Sequence, residues 1–230
     1  MEIRRFLKLF LFVLIGYGAV AYFVLPTFWT HYEGHPKMQN APKKTMTFER
    51  IPGDPLNIGL EGSEENLVKA FIAAGWRRAD QKSLKTDFKM TESVILDHSY
   101  ASAPVSDLYL FGRKQDLSFE LLVGGSPLRR HHIRLWKAGE FGRGEMLWLG
   151  SATFDRSVGF SHRTGQITHH IAANIDAERD FVIKALQTAK QIDQISQITG
   201  SGPTLAGRNG GGDWYFTDGD ITMAVLLKNE

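Results

Sequence analysis

From Leu9 to Thr30 the chain runs 22 residues without a charge, "LFLFVLIGYGAVAYFVLPTFWT". At 1.5 Å per residue, about 20 apolar residues cross the hydrocarbon core of a bilayer as a helix. The core helix of a soluble protein is rarely uncharged for so long. Phe28 and Trp29 suit the aromatic belt at a membrane surface, and Pro26 marks where helical hydrogen bonding should loosen. Ala19-Val20-Ala21 carries the small-x-small pattern of a signal-peptide cleavage site, which is the alternative reading. The apolar run continues through Tyr22-Phe23-Val24-Leu25 instead of turning polar, which favours a retained anchor. Arg4, Arg5 and Lys8 should hold residues 1–8 in the cytoplasm as a short tip, so the rest is expected to be exported.

Everything else follows from that division. Residues 9–30 are expected to contact membrane lipid. Residues 31–46 are polar, hold two prolines and lack apolar periodicity, so they read as a stalk. Residues 47–230 have the length of one ordinary domain. Of the 222 residues after the tip, 24 are basic and 24 acidic, so the domain is neutral. A neutral domain lacks the footprint of a general nucleic-acid binder, and no nucleic-acid partner is expected. There are no cysteines, which excludes disulfides, thiolate zinc sites and a cysteine nucleophile.

The domain reads as α+β: a mainly antiparallel sheet with flanking helices, preceded by a single N-terminal transmembrane helix. Extended structure is expected from Thr47 to Ile51, ending at Pro52-Gly53-Asp54-Pro55. A helix follows Ser63, with Glu64 and Glu65 in its first turn, Leu67, Ala70, Phe71 and Ala74 on one face, and Gly75 as its stop. A further helix is expected at Ser83–Leu96. Residues 107–113, 117–124, 131–136 and 146–154 read as strands. A helix begins after Asn174 or at Asp176, with Asp176 and Glu178 favouring its start and Arg179 available to a nearby acid. Ile195–Thr199 reads as a strand. In "WYFTDGDITMAVLL", Asp218-Gly219 between apolar runs predicts a hairpin.

Several segments together resemble the LssY C-terminal domain family: "APVSDLYLFGRKQDLSFE" (103–120), "RRHHIRLW" (129–136), "LWLGSATFD" (147–155), "THHI" (168–171), "DAERD" (176–180) and "YFTDGDI" (215–221). They stand in order over roughly residues 60–227. The resemblance implies a bacterial protein, and the domain also occurs beside multi-span regions similar to lipid phosphatases. With the apolar run and Arg4, Arg5 and Lys8, the expected setting is the inner membrane, the domain facing the periplasm or cell exterior. The resemblance assigns no catalytic residue.

The chemistry concentrates in "RRHHIRLW". Alternation on a strand puts His131, Ile133 and Leu135 on one side and Arg130, His132, Arg134 and Trp136 on the other. The second set is a row of donors suited to a carboxylate or phosphate, with Arg113 and Arg208 as further anion-binding candidates. The competing reading is an edge or solvent-facing strand whose arginines pair with the domain's own acids. His131-His132 and His169-His170 each offer one ligand to a given site, since neighbours on a strand diverge. No metal-binding spacing supports them, so no metal or other cofactor is expected. The weak candidates for a metal are His132, His169 and Asp155, with Asp176 as a substitute oxygen donor.

A hydrolytic arrangement would draw its catalytic residues from His132, His169 and Asp155, with arginines holding the oxyanion. Ser151 is a conceivable nucleophile, but "LGSAT" is not a G-x-S-x-G elbow. The loop 200–214 holds six glycines without GK[ST] and reads as a mobile surface loop. The favoured function is therefore a non-catalytic exported domain recognising an anionic group on a lipid headgroup, an envelope polymer or a protein partner. The alternative is an envelope hydrolase.

Overall fold

The computed structural model describes residues 2–25, 41–79, 107–141, 144–163, 165, 167–199 and 205–228. The chain divides into two units, residues 1–41 and 42–230, and each is taken by itself. In the first, helix α1 (Glu2–Ala19) continues through a π-helical turn at Val20–Val24. Arg4–Val24 is long and apolar enough to cross a membrane, and none of it is buried. Most of the expected stalk and the expected helix at Ser83–Leu96 lie outside the described residues.

The second unit is built on an eight-stranded sheet. Its path runs β11 (Ile192–Ile198), β14 (Ile221–Leu226), β3 (Ile58–Glu61), β9 (Glu145–Phe160), β8 (Ser126–Phe141), β7 (Leu117–Val123), β4 (Arg77–Arg78), with β10 (Ile167–Ile171) also paired to β9. Every neighbour is antiparallel except β14 with β3. The long central hairpin β8–β9 has 16 residues in each strand. Gly124 and Gly125, both at positive φ, make the two-residue turn from β7 into β8. That conformation matches the sheet's twist and is cheap only without a Cβ.

One face of this sheet is packed by α2 (Glu64–Ala73) and α3 (Ile175–Thr188). Ser63 caps α2 by accepting from Asn66 N–H, and Asn174 caps α3 by accepting from Ala177 N–H. Leu67, Ala70 and Phe71 of α2 and Val182, Ile183 and Leu186 of α3 bury against Leu117, Phe119, Ile133, Leu135 and Ala152. The rings of Phe71 and Phe119 stack at 4.4 Å.

The opposite face carries a smaller sheet, β2 (Pro52–Pro55), β1 (Lys44–Met46), β5 (Tyr109–Leu110), β6 (Arg113–Lys114), in that order. Here four local expectations are corrected. Extended structure begins at Lys44, not Thr47. Thr47–Arg50 form a turn in which Arg50 N–H donates to Thr47 O, and Pro52–Pro55 is a strand, not a stop. Its prolines are tolerated because β2 lies at a sheet edge. Residues 107–113 fold back at Phe111-Gly112, both at positive φ, into the hairpin β5–β6. The glycine-rich stretch holds a hairpin too, β12 (Ala206–Arg208) with β13 (Trp214–Phe216).

The Asp218-Gly219 hairpin does not form. Residues 214–216 pair with β12, and β14 runs parallel to β3. The Arg179 guanidinium grips both oxygens of Asp218, at 2.8 and 3.0 Å, while Asp218 N–H donates to Asp176. Those bonds hold the corner against the start of α3, and a long-range strand pairing overrides the local turn signal.

Asn57 joins the layers: its amide donates to Ala152 O and Ile175 O and accepts from Ala152 N–H, fully buried. Asn57→Ala should lower unfolding stability by about 3 kcal/mol, because each stranded buried partner costs about 1–3 kcal/mol. Thermal or chemical unfolding of the purified protein measures it.

Candidate functional site

The non-helical face of the main sheet is polar because of register. Across β7, β8 and β9 the paired positions are Leu122–Arg130–Asp155, Glu120–His132–Thr153 and Ser118–Arg134–Ser151. Cross-strand partners in such rows point to the same side. Of these, Arg130, His132, Arg134 and Asp155 line a cleft of about 470 Å³ between the two sheets, together with His169, Asp54, Asp107, Lys114 and Asn209. The alternation read from "RRHHIRLW" therefore holds, and the row it isolated meets His169 and Asp155. β8 is a central strand, so the edge-strand alternative fails. Its other component stands: both arginines are paired with internal acids.

Arg130 is 1% exposed and bonds two carboxylates, Nη1 to Glu120 Oε2 at 2.8 Å and Nε to Asp155 Oδ2 at 2.9 Å. Its Nη2 stands 3.5 Å from His169 Nδ1. Arg134 Nη1 donates to Asp54 Oδ2 at 2.9 Å. The same Nη1 lies 2.7 Å from His132 Nε2, which must therefore act as acceptor. Thr153 Oγ1 stands 2.9 Å from that nitrogen. His132 is accordingly neutral, with its proton on Nδ1, 3.1 Å from Asp155 Oδ2 but not aligned as a hydrogen bond. Burial lowers the His132 pKa, and Arg134 adds to that, against the pull of Asp155.

Burial works against a charge on Asp155 as well. The surrounding His132, His169 and Arg130 nevertheless hold its carboxyl below the usual carboxylate range. With His132 neutral, Arg130 is the fixed positive charge that secures it. Asp155 Oδ1 is buried without a hydrogen-bond partner among the described residues. Burial raises the Glu120 pKa against the opposing charges of Arg130 and Arg77.

His169 Nδ1 lies 4.0 Å from Asp155 Oδ2, and its side chain is 10% exposed, at the edge of the cleft. The three weak metal candidates therefore do converge. The Arg130 guanidinium stands among them, however, bonded to Asp155, and repels a cation there.

Two anion candidates fall elsewhere. Arg113 donates to Asp116 and to Lys137 O, and its guanidinium lies 5.6 Å from the Phe111 ring centre. Arg208 donates to Gly212 O and lies over Trp214. Neither lines the cleft. Ser151 is fully buried on the polar face but does not reach the cleft, which removes it as a nucleophile open to a substrate.

The sequence missed Asp54, the partner of Arg134, because "PGDP" reads as a chain stop. It also missed Glu178, taken as a helix-start acid. Glu178 instead turns inward on the helical side of the sheet, 3% exposed, with Oε2 2.8 Å from His131 Nδ1. His131 stacks on Phe181 at 3.8 Å. An inward acid in the first turn of α3, flanked by apolar residues, was the available signal.

The family model for the LssY C-terminus matches residues 38–221. No curated protein and no solved structure matches the chain.

Burial drives the Glu178 pKa up to about 7 from 4.5, against the hydrogen bond from His131. A raised pKa means that the folded protein holds this proton more tightly than the unfolded chain. The resulting stability is complete below about pH 4.5 and is lost as pH rises through about 7. At 1.36 kcal/mol per unit, its size is on the order of 3 kcal/mol. Glu178→Gln keeps the neutral shape, so the stability difference between variant and wild type should move in the variant's favour by that order between pH 5 and pH 8. Paired unfolding curves at the two pH values measure it.

Proposed function

The chain belongs to the LssY C-terminus family, and on that premise we propose that it is a membrane-tethered binding domain whose cleft receives an anionic group. Residues 9–30 anchor it in the inner membrane with Arg4, Arg5 and Lys8 on the cytoplasmic side, and the domain faces the periplasm or cell exterior. The ligand is borne by a lipid headgroup, an envelope polymer or an envelope protein partner.

One observation carries this reading: Arg130, His132, Arg134 and His169 converge around a single cleft, on rigid strands, with their carboxylate partners already fixing their geometry. Burying such ions costs several kcal/mol each, and well-packed apolar side chains commonly do at least as well for stability. Recognition gives a reason to keep them. Guanidinium groups held in place lose little further entropy when they bind an anion. Asp155 Oδ1, an acceptor without a partner among the described residues, complements a ligand that also offers a hydroxyl, as phosphorylated polyols do. The arginines are charge-matched, so the anion shares them with Asp54 and Asp155. Affinity then depends on geometry more than on net charge.

The second reading, an envelope hydrolase acting on phosphoesters, is favoured by the pairing of His169 with the buried Asp155. His132 is a poor base because its Nε2 already faces Arg134 and Thr153. That leaves His169 as the proton acceptor, with Asp155 Oδ2 4.0 Å from its Nδ1.

The two readings separate on the full-length protein in detergent micelles. Inorganic phosphate or glycerol phosphate should raise Tm in wild type, through mass action on the folded state. Arg134→Ala and His169→Ala should each remove most of that rise. His169→Ala keeps the main ion pairs and so guards against simple misfolding. No rise in wild type with either anion retires the binding reading. Turnover of phosphate monoesters or diesters that is lost in His169→Ala would replace it with the hydrolase.

A further inference from the structure

A second polar cluster lies outside the arginine row. His162, in the turn after β9, His170 on β10 and Asp213 before β13 each place one donor atom within 4.8 Å of the others. His170 Nδ1 is 2.8 Å and His162 Nε2 is 3.9 Å from the same oxygen, Asp213 Oδ1. The carboxylate is held for this: its side chain is 3% exposed, and its other oxygen accepts from Ile171 N–H at 3.1 Å. Asp213 N–H donates to Asn209 Oδ1, which closes the turn. The His170 ring is seated against β9, where a Cβ on Gly159 would come within 2.7 Å of Nε2. His162 is tied through its backbone, N–H to Gly211 O at 2.9 Å, while its ring is 63% exposed and lies 5.2 Å from the His170 ring.

We propose that His162, His170 and Asp213 form a binding site for a divalent transition cation of the zinc type. Two imidazole nitrogens and one carboxylate oxygen form a donor set that such ions take. With bonds of about 2.0–2.2 Å, tetrahedral coordination separates ligand atoms by roughly 3.3 Å. The distances of 2.8 and 3.9 Å lie on either side of that value, and a small rotation of the exposed His162 ring closes the set. The fourth position is left to water. On binding, the metal takes the place of the proton on His170 Nδ1, and the ring stays neutral with its proton on Nε2 instead. Among the described residues no guanidinium bonds Asp213, which distinguishes this cluster from His132, His169 and Asp155, where Arg130 does. The ion would staple three separated pieces, the β9–β10 turn, β10 and the β12–β13 turn. The latter lies at the cleft rim, where Asn209, Gly210 and Gly211 are lining residues.

The sequence hid this site because its ligands stand 8 and 43 residues apart, with no short spacing to mark them. The proposal uses none of the arginine row, so the anion-binding reading and this one fail independently.

The full-length protein, purified without a polyhistidine tag and stripped with chelator, is melted in detergent across a zinc titration. The expected result is a Tm that climbs with zinc and falls back with EDTA, and one equivalent of bound metal by elemental analysis. His162→Ala removes an exposed ligand and should fold normally, yet bind zinc roughly tenfold or more weakly. Asp213→Asn should lose the shift. Cobalt in place of zinc should show the visible ligand-field absorption of a low-coordinate nitrogen–oxygen site. An unchanged wild-type Tm with no bound metal overturns the proposal, and so does equal zinc binding by wild type and His162→Ala.

Discussion

The structure depends on a guanidinium placed where water cannot reach. Arg130 sits between Glu120 and Asp155, all three essentially without exposure, and ties β7, β8 and β9 together through side chains as well as through the backbone. Its energetic benefit is small or negative against an apolar replacement, but its geometric consequence is large. Side chains alternate along β8, so a one-residue slip would drive Arg130, His132 and Arg134 among Phe119, Ala152 and the helices. Ile133 and Leu135 would be turned into the cleft. Neither outcome is tolerable, and the register of two 16-residue strands is therefore fixed.

That division of faces also assigns tasks. The aliphatic side, where α2 and α3 dock, supplies the burial that holds the domain together. The polar side is covered by short strands and turns, whose side chains meet its charged row through specific bonds. Arg130 and Arg134 are met there by Asp54, Glu120 and Asp155, so the cleft is organised without being strongly electropositive. His169, at its edge, is the imidazole best placed to meet a visitor.

The two faces were unequally legible in the sequence. Periodicity of two along "RRHHIRLW" and of 3.6 in the two helices is rigid geometry, so the cationic row and the helical faces could be read directly. The cap at Ser63 followed from local hydrogen-bond chemistry, and Asn174, found to cap α3, marks one of the two starts left open for it. What failed depends on distant partners. Asp54 meets Arg134 across 80 residues, and β14 finds β3 rather than its neighbour in sequence. Asp218-Gly219 is a sound turn signal until Arg179 claims the aspartate. Arg113 and Arg208 were grouped with the cleft by charge alone, but charge does not say where a side chain points.

Asp54 shows why the unread side matters most. One of its oxygens accepts from Arg134, and the other accepts from Asn209 Nδ2 at 3.1 Å. Asn209 in turn accepts from Asp213 N–H, and Asp213 holds His170. Arg134 is thus tied through an unbroken series of hydrogen bonds to the β12–β13 turn, five residues (209–213) whose role a glycine-rich sequence does not announce. Asp213 stands between His170 and Asn209, and Asn209 between Asp213 and Asp54. The two clusters on this face share a skeleton even though they share no ligand. A rigid sheet supplies the row of donors, and the β12–β13 hairpin holds the carboxylate that one of them, Arg134, meets.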